Sequence, residues 1–70
     1  MSAATLHTLD DVREALNITL GANTASLGPI STRVLMRTGA SIKTPRPDQN
    51  ADQVLIGKVV TALAEMGYPL

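Results

Sequence analysis

Pro45 and Pro47 constrain this chain more than any other pair of residues. Each proline removes a backbone donor and pushes the residue before it toward extended geometry, so no helix crosses Ser41 to Asn50. Helix is confined to the stretches on either side, and in both of them aliphatic residues recur at the spacing of one helical face. The expected fold is mainly α, a single small domain of three helices over residues 1–70. A flexible N-terminus is expected over 1–7, and a basic, proline-stiffened arm over 43–49.

The helix ends are written in capping residues. Thr8 is placed to cap a first helix from Leu9 to Leu16, extending toward Leu20 and stopping at Gly21, with Asp11 as the reciprocal acceptor of a capping box. Asp10, Asp11 and Glu14 lie near the positive end of that helix dipole. Leu9, Val12, Ala15 and Leu16 form its apolar face. Gly28-Pro29 opens a second helix, with proline in the first turn where its missing N–H is harmless, and Gly39 closes it. Ile30, Val34 and Leu35 share its apolar face. Asn50 is read as the cap of a third helix running to Met66, with Leu55, Val59, Ala62, Leu63 and Met66 inward and Val54 and Val60 widening the stripe. Gly57 costs ~1 kcal/mol there relative to alanine, which suggests close approach of a neighbouring backbone. Residues 17–29 read as a buried connection or one short helical turn. Alternation at Ile18 and Leu20, and the segment 41–44, leave room for a short β element around residues 18–20 and 41–44.

Seventy residues bury only ~60% of their unfolded surface, so the core must be well packed. Tyr68 is the single aromatic residue, so there is no stacking platform of the kind single-strand and RNA-binding sheets use. Cysteine is absent, which excludes disulfide scaffolds and the usual structural zinc sites. No apolar run approaches the ~18 residues of a membrane span, and the N-terminus has neither the basic nor the hydrophobic region of a signal peptide. A cytoplasmic protein is expected.

Catalytic inventory is equally thin. His7 is the only imidazole and has no partner at ligand spacing. Asp10 and Asp11 are adjacent on a helix, so they point apart and serve the dipole rather than a metal. The glycines match neither GxxxxGK(S/T) nor GxGxxG spacing. No enzyme activity, metal or cofactor is expected.

What remains is charge placement. Ile30 to Pro47 holds Arg33, Arg37, Lys43 and Arg46 without a carboxylate, while the flanks carry minus two each, so a chain of zero net charge has a basic centre. If those side chains converge on folding, they favour an anionic partner, either double-stranded DNA or an acidic protein surface. The residues TLDDVREAL at 8–16, ISTRVLMRTGAS at 30–41 and the following KTPRP resemble the helix-turn-helix region of transposase-like and phage regulatory DNA-binding proteins. The resemblance covers about half the chain. It implies a DNA-binding transcription regulator in which Ser31, Thr32, Arg33 and Arg37 face DNA. On that reading Lys43 and Arg46, on the proline-stiffened arm, follow the backbone or enter a minor groove. Three or four phosphate contacts give a log–log salt slope of roughly −3 to −4, which favours binding as a homodimer. The alternative from the same residues is a small phage-type interaction module. It would dock on host machinery such as the transcription apparatus, with Met36, Leu27 or Leu70 as apolar anchors.

Overall fold

The computed structural model describes residues 6–70. It contains α1 (Leu9–Leu20), a 3-10 turn (Thr24–Ser26), α2 (Leu27–Thr38) and α3 (Gln53–Glu65), and no strand occurs among the described residues. The mainly α, three-helix expectation holds. Among the described residues no helix is long and apolar enough to cross a membrane.

The first helix forms where its capping residues place it. The Thr8 hydroxyl accepts from the Asp11 amide at 3.1 Å, and the Asp11 carboxylate accepts from the Thr8 and His7 amides at 3.1 and 2.9 Å. Helix α1 then runs on through 18–20, so the residues whose alternation suggests a short β element are helical. Thr19 returns its hydroxyl proton to the Ala15 carbonyl, and Ile18 turns outward at 77% exposure. Alternation over three residues was the edge of a helical face, not a pleat. The expected turn between the first two helices is present as the 3-10 turn, which leads directly into α2. At the far end of α2, Gly39 adopts φ 76° and its amide closes on the Leu35 carbonyl at 2.8 Å, a left-handed stop that glycine takes without strain.

Lys43, Thr44, Arg46, Pro47 and Asp48 of the expected arm are exposed, but the residues just before it are anchored in the core. Ile42 is fully buried among Leu9, Leu16, Val34 and Leu63, and Ala40 is buried beside it. Enclosing one isoleucine contributes about 1.5–3 kcal/mol. The exposed Arg46–Asp48 ion pair at 3.6 Å contributes about 0–1 kcal/mol. The apolar plug therefore decides where the connection lies. Its ends are tied down as well. The Gln49 and Asn50 amides both donate to the Arg46 carbonyl at 2.9 Å, and Arg13 donates to the Lys43 carbonyl at 3.1 Å. The segment 41–44 is not a strand, since Ser41 accepts from the Thr44 amide at 3.0 Å within a local turn.

Asn50 does not cap α3. Its carbonyl accepts from the Leu9 amide at 2.8 Å and its side-chain oxygen from the Asp10 amide at 3.2 Å, while its side-chain nitrogen donates to the Asp10 carboxylate at 3.1 Å. Asp52 caps α3 instead, accepting from the Val54 and Leu55 amides, where a carboxylate also meets the positive helix end. That start rotates α3. Ile56, Val59, Ala62 and Leu63 face inward, Leu55, Val60 and Met66 are half-buried, and Val54 is 72% exposed. The helix ends in a Schellman motif, with Tyr68 N–H on the Leu63 carbonyl and Gly67 N–H on that of Ala64.

The N-terminal expectation is corrected where it can be seen. Leu6 packs against the core and the Gln53 side chain donates to the His7 carbonyl at 2.8 Å. The remainder of that expected flexible segment, 1–5, lies outside the described residues.

Hydrogen bonds from the His7 and Thr8 amides hold the Asp11 carboxyl below its ordinary value of 3.8. A folded pKa below the unfolded one gives stabilisation that is complete above the unfolded value and is lost as pH falls through the folded one. Thermal midpoints should therefore fall as pH is lowered from about 5 to about 2, with part of that fall absent in Asp11→Asn. A variant profile parallel to the parent would contradict this origin.

Candidate interaction surface

One turn of helix every 3.6 residues separates side chains that are neighbours in the sequence, and α2 divides the basic centre accordingly. Ile30, Ser31 and Val34 point inward; Pro29, Thr32, Arg33, Met36 and Arg37 are exposed. Ser31, Thr32 and Lys43 come together on one flank, around a cleft between α2 and residues 41–44. Arg33 and Arg37 lie on the other flank, beside α3 and Met66. Arg46 is on neither, being paired with Asp48 in the connection. The expected single positive surface is thus split.

Three of the expected contact residues are also enclosed or engaged by the protein itself. Ser31 is 6% exposed and takes the inward position anticipated for Leu35, which is 46% exposed. The Thr32 hydroxyl donates to the Gly28 carbonyl at 3.1 Å, so its proton is committed to its own helix. Arg37 meets Glu65 at 3.4 Å, with both side chains more than half exposed, a geometry in which water competes effectively.

The α3 flank is the more extensive. A groove of about 550 Å³ runs between α2 and α3, lined by Arg37, Val54, Gly57, Lys58, Thr61 and Glu65 with Thr38 and Ala62. A second hollow adjoins it, formed by Arg33, Met36, Arg37 and Met66. Arg37 belongs to both, so the two are one continuous surface. Met36 is 82% exposed and Val54 72% exposed on it. Met36 is exposed because the α2 face it occupies points away from the buried Ile30 and Val34. Leu27, named as an apolar anchor, is packed against the core and unavailable; Leu70 is 37% exposed.

Gly57 explains the groove. A side-chain carbon built at this position meets nothing within 4 Å, so no backbone approaches it, contrary to the sequence expectation. The glycine instead lowers the floor of the groove, with Thr61 one turn further along. Sequence reasoning did not join Val54, Gly57, Lys58, Thr61 and Glu65 into one interaction surface. The available signal was the glycine itself, set in mid-helix without a neighbour that needs it.

Among the described residues no three His, Cys, Asp or Glu side chains gather as a metal site. Comparison with protein-family models, with curated proteins and with solved structures gives no match for this chain.

Because the space at Gly57 is open, Gly57→Ala should raise stability by about 1 kcal/mol through the lower entropy of the unfolded chain. Urea unfolding should show a higher midpoint at unchanged slope. An unchanged or lower midpoint would mean that the groove floor is closed to a methyl group.

Proposed function

We propose that this chain is a non-enzymatic interaction module that docks an acidic protein partner on the α2/α3 face. The observation that carries this reading is the continuity through Arg37. It joins Met36, Met66 and Val54 to the cations Arg33, Arg37 and Lys58 on one surface. Methionine and arginine are enriched at protein interfaces, and exposed apolar side chains set among mobile charges suit a partner that buries the first and pairs the second. Arg33, Arg37 and Lys58 against Glu65 leave a local balance of plus two (three minus one). The complementary surface is an apolar ridge edged by carboxylates. Such a partner also replaces Glu65 at Arg37, an exchange that costs little because the internal pair is exposed.

Duplex DNA matches this face less well. A phosphate backbone has nothing to offer Val54 and Met66, and Glu65 repels it. A chain of zero net charge also lacks the long-range attraction that gathers DNA-binding domains onto their target.

A photoreactive residue placed at Met36 or at Val54, with Glu14 on α1 as the control position, tests the proposal in cells expressing the full chain. The expected result is a discrete adduct from positions 36 and 54 that survives nuclease and yields an acidic protein. It disappears in the Arg33→Glu, Arg37→Glu double variant, whose helical circular dichroism is unchanged. An adduct removed by nuclease, together with duplex binding at ~10 mM salt where screening is slight, would replace this reading with DNA binding. Equal labelling from position 14 would remove the assigned face.

A further inference from the structure

The groove between α2 and α3 has a shape as well as a charge, and the two together select its occupant. We propose, resting on the docking face assigned above, that the partner presents an amphipathic α-helix of about three turns, apolar along one stripe and acidic on both edges of it. The α3 wall supplies Val54, Gly57, Lys58, Thr61 and Glu65, which recur at the spacing of one helical face. From Val54 to Glu65 this wall is about 16 Å long, at ~1.5 Å of rise per residue.

Modes of peptide docking differ in what must line the receptor. An added strand needs a sheet edge, because an extended chain brings backbone donors and acceptors that have to be met. No strand occurs among the described residues, so that edge is missing. A proline-rich segment needs aromatic walls. Tyr68, the single aromatic residue, packs against the core and does not line the groove. A helix meets its own backbone needs, and requires only apolar depth and well-placed charge.

Both are present. The floor is made of small side chains, Gly57, Thr61 and Ala62 of α3 with Thr38 of α2. A side-chain carbon at 57 would meet nothing within 4 Å, so the space above that floor is open. Packed helices lie about 8–10 Å apart, a distance set by the side chains at the contact, and a floor without bulk admits close approach. Val54 near the start of α3 and Met66 just past its end offer apolar contact at both ends, with Met36 beside Met66.

Charge then fixes the edges. Lys58 stands on the α3 side and Arg37 on the α2 side, with Arg33 one turn before it. Lys58 and Arg33 make no ion pair among the described residues, and Arg37 has only its exposed contact with Glu65. Cations on both sides match carboxylates on both edges of one apolar stripe, which are the positions flanking a helical seam. An extended segment sends alternate side chains to opposite faces and has no such edges.

Random peptides of ~16 residues, long enough for three turns and their ends, displayed on phage and selected against the immobilised full chain, test this preference. Enriched sequences should repeat apolar residues at i, i+3 or i+4 and i+7, with Asp or Glu on both sides and no internal proline. The synthetic peptides should gain helical circular dichroism on binding and shift the amides of Gly57, Lys58 and Thr61. Gly57→Leu, which fills the floor, and Lys58→Glu should each weaken binding roughly tenfold or more, while Glu14→Gln leaves it unchanged. Leucine is a good helix former, and an unfolding midpoint no lower than the parent's confirms that Gly57→Leu keeps the fold. No enrichment, enrichment of alternating or proline-rich sequences, or binding unaffected by Gly57→Leu or by Lys58→Glu would overturn the helix. Photoadducts from positions 36 and 54 would then still uphold the acidic partner. Loss of those adducts, with helical peptides still bound, would remove the partner and leave the groove's preference standing.

Discussion

The attachment of Asn50 to the start of α1 is the contact on which the rest of the molecule depends. A helix leaves its first amides without internal partners. Here Leu9 and Asp10 donate to Asn50, across the whole length of the intervening chain, and Asp11 donates to Thr8. Helices of 12 or 13 residues are marginal in isolation, so each needs the others to persist. One asparagine joins the first helix to the connection that leads into the third. Ile42, carried by that same connection, closes the core between them.

Both flanks of α2 follow from this arrangement. The connection is drawn against α1 and the core, which brings Ser41, Lys43 and Thr44 alongside α2 and creates the polar cleft. Asp52, two residues after Asn50, is then left to cap α3, and the rotation it sets turns Val54 outward and Ile56 inward. With Gly57 on the exposed side, the junction of α2 and α3 stays open. A larger residue at 57 would favour the helix, as alanine does intrinsically. The chain instead keeps a glycine where stability does not need one, the pattern expected of a surface shaped for contact.

Much of the frame was legible in the residues. Thr8, Gly21, Pro29, Gly39 and Gly67 mark helix ends through local chemistry that operates whatever the surroundings. The prolines correctly excluded helix from 41–50. Rotation about each helix axis was less legible, because periodicity defines a stripe but neighbours decide which edge of it is covered. Leu35 and Val54 were placed inside on that basis, and Ser31 and Ile56 took those positions. Asn50 misled for a related reason. An asparagine before a helix reads as that helix's cap, and no local signal says that it serves another helix forty residues earlier. The basic centre was a feature of linear order: Arg33 and Arg37, one turn apart on α2, stay together beside α3, while the connection carries Lys43 to the other flank and Arg46 to neither. The groove was invisible for the opposite reason, since its residues come from two helices that only packing brings together.

Hydrogen exchange at the Leu9 and Asp10 amides tests the account most directly. If Asn50 locks the start of α1, both amides exchange as slowly as those of Val59 and Leu63 in the core. In Asn50→Ala, Asp10 loses its protection while Asp11, bonded to Thr8, keeps more of its own. Rapid exchange of Leu9 and Asp10 in the native chain, with the core still protected, would contradict the account.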